Sequence, residues 1–157
     1  MKRRLSRHGI LLAGMLLIVL LAVTACTAAP TSTPAPAAEY TVKTMSKADL
    51  GDYLVDAQGM TLYYFTKDTA GTSSATAPVI ANWPIFYAAS IVVPSNLDAA
   101  DFGTITGFEG QMQTTYKGWP LYYYIKDLAA GDTVGQGVGG VWFVINPQSV
   151  PLPPPSY

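Results

Sequence analysis

Beyond residue 25 this 157-residue chain contains no histidine and no arginine, and Cys26 is its single cysteine. Each absence removes a class of chemistry. Zinc, copper and haem sites draw on imidazole and thiolate, so no metal and no cofactor is expected. A Ser-His-Asp or Cys-His catalytic arrangement cannot be assembled, so the chain does not read as an enzyme. Without guanidinium groups there is no planar fork to grip phosphate or carboxylate. One cysteine cannot close a disulfide within one chain. Charge is short on one side as well: five lysines (43, 47, 67, 117 and 126) face ten acids, giving a formal −5 past residue 25. Such a surface neutralises phosphates poorly, so no nucleic acid partner is expected.

The missing cations are concentrated at the start. Lys2, Arg3, Arg4 and Arg7 form a basic head, His8 follows, and residues 10–23 then run without a charge. That run is 14 residues long, against the ~20 that a bilayer-spanning helix needs. A basic head, a short apolar run and small residues make a secretory signal peptide over residues 1–25. The sequence Val23-Thr24-Ala25-Cys26 resembles a bacterial lipobox, whose cysteine receives a diacylglycerol and becomes the new N-terminus. The expected product is lipid-anchored to a membrane through Cys26, on the extracytoplasmic side. Each buried methylene contributes ~0.8 kcal/mol, so two or three acyl chains hold firmly.

Residues 26–39 are rich in Pro, Ala and Thr. Their prolines favour an extended chain of ~3.1 Å per residue, which makes this segment a tether. Residues 148–157 are again Pro-rich and read as a tail or a docking strip. Between them, residues 40–147 carry short runs of Tyr, Val, Ile and Phe punctuated by Gly, Asp, Asn and Pro. This patterning predicts an all-β, mainly antiparallel domain. Strands are expected near 40–44, 52–57, 60–65, 84–93, 103–107, 111–116, 120–125 and 140–146. Asp56-Ala-Gln-Gly59 and Tyr116-Lys-Gly-Trp119 read as hairpin turns. Residues 95–102 can hold a helical turn capped by Ser95 or Asn96.

The domain also repeats itself. A shift of 59 residues lays Gly59 on Gly118, Leu62 on Leu121, Tyr63 and Tyr64 on Tyr122 and Tyr123, and Phe65 on Tyr124. Lys67, Asp68 and Trp83 fall on Lys126, Asp127 and Trp142 without a gap. Two related units, near 50–94 and 109–147, imply a pseudo-twofold β domain rather than a solenoid.

Both units carry Tyr-x-aromatic-x-x-Asp, as Tyr63-Tyr-Phe65-Thr-Lys-Asp68 and Tyr122-Tyr-Tyr124-Ile-Lys-Asp127. In a strand, residues i and i+2 share a face, so the first tyrosine and the second aromatic form a ridge. The aspartate just past the strand can cap turn N–H groups or accept a tyrosine O–H. Two readings follow: a packing ridge with a turn-fixing carboxylate, or a binding surface that includes Trp119 and Trp142.

With Leu54-Val-Asp-Ala-Gln-Gly-Met-Thr-Leu-Tyr63, Gly118-Trp-Pro-Leu-Tyr-Tyr-Tyr124 and Gly131-Asp-Thr-Val-Gly-Gln-Gly-Val-Gly-Gly-Val-Trp142, these motifs resemble the bacterial secreted-repeat lipoproteins of unknown function. The resemblance covers about residues 50–147 and implies a lipid-anchored extracytoplasmic protein without an established activity. Members often place a Cys-x-x-x-Cys pair before the first Trp-Pro, where this chain has Ala75 and Val79. They often carry histidine where this chain has Trp119. Gly135-Gln-Gly137-Val-Gly-Gly140 also fits a dinucleotide fingerprint. That fingerprint must open a helix, whereas here it runs into the β-like Val141-Trp-Phe-Val-Ile, so a tight loop under Trp142 is expected instead.

The leading functional expectation is a non-enzymatic binding or assembly module of the cell envelope. Its partner would be an envelope protein, or a carbohydrate stacked on Tyr63, Phe65, Tyr122, Tyr124, Trp119 or Trp142. Buried rings would remove the carbohydrate version. A second expectation is a carboxylate-only enzyme such as a glycoside hydrolase, which needs Asp68 and Asp127 ~5–9.5 Å apart in one site. A calcium site on Asp127, Asp132 and loop carbonyls is a variant of it. The third is an accessory subunit of a membrane electron-transfer complex.

Overall fold

A computed structural model describes residues 39–149. The expected signal peptide, the expected lipid site at Cys26, nearly all of the expected tether, and the chain from residue 150 lie outside the described residues.

The strand-rich patterning gives seven short strands, all paired antiparallel: β1 (Val42–Lys47), β2 (Gly51–Asp56), β3 (Tyr63–Phe65), β4 (Phe102–Thr106), β5 (Met112–Tyr116), β6 (Trp119–Pro120) and β7 (Trp142–Val144). One short helix, α1 (Ala77–Ile80), with proline in its first turn, was not legible as a separate element. The pairings are β1 with β2, β3 with β7, and β5 between β4 and β6.

Copy one contributes the β1–β2 hairpin and copy two the β4–β5 hairpin, so the repeating unit begins before residues 50 and 109. The turn at Tyr116-Lys-Gly-Trp119 closes β5 on β6, with Lys117 at φ 48° and Gly118 at φ 86°. The turn at 56–59 closes around the Asp56 carboxylate, whose Oδ1 accepts the N–H of Gln58 at 2.9 Å and of Met60 at 2.8 Å. The helical turn near 95–102 is a 3-10 turn over Ala99–Asp101, and its cap is Asp98 rather than Ser95 or Asn96.

Two expected strands need correction. Residues 84–93 do not form a strand, and 120–125 is regular only at β6. Even so, the chain at 82–86 runs beside 121–125 as β7 runs beside β3. Phe86 N–H donates to Leu121 O at 2.9 Å, Tyr123 N–H to Pro84 O at 2.7 Å, and Ile125 N–H to Asn82 O at 3.1 Å. Pro84 brings no N–H, so the ladder reduces to a bridge between Ile85 and Tyr122. The copy-two counterpart of Pro84 is Phe143, which pairs with Tyr64 within an intact ladder.

The two motif strands meet at one residue pair. Tyr63 and Tyr122 exchange both backbone hydrogen bonds at 2.9 Å each, which places the pseudo-twofold axis between them. Alternation then sends the first and third positions of each motif to one side and the second position to the other. Tyr63, Phe65, Tyr122, Tyr124, Trp83 and Trp142 form one core, joined by Tyr53, Val55, Ala75 and Val144. Leu62, Tyr64, Leu121, Phe86, Ile145, Val42, Leu54 and Tyr116 form the other. Ala75 and Val79, which replace the family's cysteine pair, both serve the first core as apolar filler.

Candidate functional site

The motif residues converge on the pseudo-twofold axis. Tyr63 and Tyr122 sit at 0% exposure, with their rings pointing to the same core. Each phenol reaches the aspartate of the other copy: Tyr63 O–H donates to Asp127 Oδ2 at 2.6 Å, and Tyr122 O–H to Asp68 Oδ2 at 2.7 Å. The two motifs are therefore halves of one crossed structure, not two independent sites.

The remaining carboxylate oxygens close loops. Asp68 Oδ1 accepts Ser74 N–H at 2.7 Å and its hydroxyl at 3.0 Å, while Asp127 Oδ1 accepts Val134 N–H at 2.9 Å. Gly135 N–H donates to the Tyr63 oxygen at 3.2 Å, and the Ser73 hydroxyl, 2.6 Å away, stands at the Tyr122 oxygen. Asp68 is 3% and Asp127 6% exposed. Burial is the largest influence on both and pushes their pKa above the ordinary carboxylate value, with the hydrogen bonds pulling back. Burial likewise drives the Tyr63 and Tyr122 phenols far above the usual tyrosine range, and the facing carboxylates add to the shift.

Around these pairs four rings form a continuous stack. Trp83 and Trp142, equivalent in the two copies, lie face to face with centroids 3.9 Å apart and planes 3° off parallel. Tyr124 stacks on Trp83 at 4.1 Å and Phe65 on Trp142 at 4.3 Å. Tyr63 meets Trp83 edge-on at 5.4 Å, and Tyr122 meets Trp142 edge-on at 5.2 Å. Each copy thus supplies one tryptophan and one outer ring, and each outer ring covers the other copy's tryptophan. Offset and edge-to-face pairs add about 0.5–1.5 kcal/mol each beyond area burial.

The glycine-rich loop completes the site by leaving room for it. It holds no dinucleotide site: Gly137, Gly139 and Gly140 have φ of 75°, 60° and 68°, and no helix follows. Gly137 N–H donates to Trp142 O at 2.8 Å, so the loop closes beside Trp142. A Cβ on Gly135 would stand 2.7 Å from Tyr63 Cζ and 2.9 Å from Trp83 Cη2, so that glycine admits the ring pair of the first motif. The hairpin glycines repeat this device across the axis. Gly59 (φ 87°) packs on Ala130, and Gly118 (φ 86°) on Ala70. The matched alanines are 60 apart rather than 59, so the gapless alignment hides a one-residue slip in the loop after Asp127.

The expected site residues thus fall into three groups. Tyr63, Phe65, Asp68, Tyr122, Tyr124, Asp127 and Trp142 come together, all buried. Trp119 stands apart on the other core, half-buried and edge-on to Tyr64 at 5.7 Å. Cys26 lies outside the described residues. Sequence reasoning gave Trp83 only as the partner of Trp142, although it is the centre of the stack. It also missed Asp56, whose Oδ2 accepts Tyr123 O–H at 2.8 Å. Tyr123 is the second residue of its motif, so the face that carries Tyr64 and Tyr123 was the available signal.

Chemically the arrangement is closed. Tyr63, Phe65, Tyr122, Tyr124 and Trp142 are at most 8% exposed, which leaves little ring face for a sugar to stack on. Asp68 and Asp127 sit in separate turns, each already holding a tyrosine and a backbone donor. Asp132 Oδ2 is likewise occupied by the N–H groups of Leu128 and Ala129, at 2.8 and 2.9 Å. An open cleft of about 280 Å³ beside the stack is lined by Pro78, Val79, Asn82, Trp83, Tyr124, Val138 and Trp142. Among the described residues no helix is long and apolar enough to cross a membrane.

Comparison with known proteins agrees with this duplicated architecture. The family model Lipoprotein_15, a secreted repeat of unknown function, matches residues 44–86 and again 103–146. No curated protein and no solved structure matches the chain. The two matched spans take in both hairpins, both motifs and both tryptophans, and the chain belongs to this family of secreted repeats.

Proposed function

We propose that the protein is a lipoprotein held at the outer side of a membrane by lipid on Cys26, where its duplicated domain acts as a non-enzymatic binding or assembly module of the cell envelope. The observation that carries this reading is the crossed pairing. The Asp68 and Asp127 carboxylates and the Tyr63 and Tyr122 phenols are all engaged in joining the copies and closing their loops, which supports a motif that builds a rigid body. Contact with a partner then falls to the surface. Residues 125–134 support a protein partner over a sugar: Leu128 is 86% exposed, with Ile125 and Val134 also exposed, on a loop pinned at Asp127 and Asp132. Aliphatic knobs on a rigid loop suit an apolar protein pocket.

Mass spectrometry of the native protein tests the anchor, with an acylated N-terminal peptide beginning at Cys26 as the expected result. Cross-linking in whole cells tests the partner. Leu128→Asp should abolish the cross-linked species without changing thermal stability, and an unchanged pattern refutes the loop as the contact.

A second reading has one observation in its favour. The parallel tryptophan pair lining an open cleft suits an accessory subunit beside an electron-transfer complex. Co-purification with native membrane complexes distinguishes it from the first.

A further inference from the structure

After Phe86, copy one does something that copy two has no described counterpart for. Its chain crosses over the beginning of β1 as a strap. Val92 O accepts the N–H of Thr41 at 2.8 Å and of Val42 at 3.4 Å, while Thr41 Oγ1 donates to Ser90 O at 3.1 Å. Ile91 and Val93 turn inward onto the second core and Val92 turns outward. Pro94 then ends the strap.

The repeat fixes where the copy-two equivalent belongs. Ile145 corresponds to Phe86, because Ile145 N–H bonds Leu62 O as Phe86 N–H bonds Leu121 O. Continuing at that offset of 59, Ser90-Ile-Val-Val-Pro94 falls on Ser149-Val-Pro-Leu-Pro153. The inward residues Ile91 and Val93 become Val150 and Leu152, the outward Val92 becomes Pro151, and proline closes both segments. The register of β4 on β5 against that of β1 on β2 makes Asp101 and Phe102 the equivalents of Thr41 and Val42.

At that place the structure has a groove. It encloses about 580 Å³, and its walls include Leu97, Asp98, Asp101, Tyr116, Pro147 and Gln148. The volume lies within the ~300–1,000 Å³ of ordinary binding pockets. The last described stretch of chain runs along its wall, with Gln148 Nε2 donating to Asp52 Oδ2 at 3.0 Å.

We propose that this groove is the strap site of the second copy, and that its occupant is the chain's own segment 150–153. The backbone explains why that segment is proline-rich. The N–H groups of Asp101 and Phe102, unlike those of Thr41 and Val42, already bond within their 3-10 turn, to Asp98 O and Ala99 O. The second strap meets neither of those donors, so it sets its side chains on Leu97 and Tyr116 between the polar Asp52, Ser95, Asn96 and Lys117, and prolines with a preformed extended shape order at low entropic cost. Entry two residues from Gln148 gives the segment an effective concentration far above that of any free peptide.

NMR on the full chain in detergent micelles tests the proposal. Nuclear Overhauser contacts are expected from the Val150 and Leu152 methyl groups to the Tyr116 and Phe102 rings. Leu152→Asp should lower the docked population by about tenfold or more, the scale of losing one leucine's burial, and should move the Tyr116 ring resonances. Pro151→Ala, which changes only the outward position, should leave both intact. Random-coil shifts for residues 150–153 with no contact to Tyr116 overturn the proposal. Contacts seen only between differently labelled chains overturn it equally, because the occupant is then a second copy.

Discussion

Tyr63→Phe deletes one oxygen from the centre of the molecule and tests whether the motif works across copies. In the folded protein that phenol donates to Asp127 Oδ2 at 2.6 Å and accepts from Gly135 N–H at 3.2 Å. Its loss leaves a buried carboxylate oxygen short of a donor and a buried N–H without an acceptor. A hydrogen bond to a charged group contributes about 1.5–3 kcal/mol, and an orphaned buried partner costs about 1–3 kcal/mol. The variant should therefore lose about 2–4 kcal/mol, a large share of a ~5–15 kcal/mol total. A double-mutant cycle then locates the partner. Tyr63→Phe with Asp127→Asn should couple by about 1.5–3 kcal/mol, whereas Tyr63→Phe with Asp68→Asn should add to within about 0.5 kcal/mol. Urea unfolding followed by tryptophan fluorescence gives both numbers, provided the m-value stays constant. Strong coupling to Asp68, the aspartate five residues away in the same motif, would show that the crossed geometry is wrong.

Alkali should unfold the domain steeply. The folded-state pKa values of Tyr63 and Tyr122 lie far above the unfolded value, and that of Tyr116 is pushed up to about 12. Their protonated forms favour the fold fully below pH 10, and that advantage falls by about 1.4 kcal/mol per pH unit per tyrosine above it. Phenolate absorbance from these residues should appear only with loss of tertiary circular dichroism, and a non-cooperative rise before unfolding contradicts the burial. On the acid side, Asp68 and Asp127 have raised folded-state pKa values, so stability from them is greatest below the unfolded carboxylate value and is lost as pH rises through the folded one. Calorimetry should accordingly show Tm shifting less with pH between 4 and 7 in Asp68→Asn than in the parent. Gly135→Ala should cost about 1–3 kcal/mol by forcing a methyl group into Tyr63 and Trp83. Gly71→Ala, whose Cβ meets nothing within 4 Å, should cost only the strain of its φ of 78°, and equal losses measured by urea unfolding would remove close packing as the reason for Gly135.

How much was legible can be seen residue by residue. The hairpin turns at 56–59 and 116–119 were readable because glycine at positive φ is a local requirement that one residue satisfies. The strand expected at 84–93 was not realised. Apolar composition alone could not distinguish a strand from a strap, and Pro84 removes the N–H that a ladder needs. The 59-residue repeat was readable as similarity, but similarity does not say which copy's tyrosine meets which copy's aspartate.

Composition settled in advance which side-chain chemistries the chain past residue 25 can field, since imidazole and guanidinium are absent from any fold it adopts. Periodicity settled the strand-rich class and the existence of two equal units, because both are properties of residue order. Which carboxylate holds which phenol, the stacking of Trp83 on Trp142, and the groove beside Gln148 arise only when the copies pack across the axis at Tyr63 and Tyr122. The phenol–carboxylate and tryptophan pairs join residues 54 to 64 positions apart and the groove joins Asp52 to Gln148, 96 apart, and contacts between distant residues are fixed by the packing of whole faces rather than by local sequence.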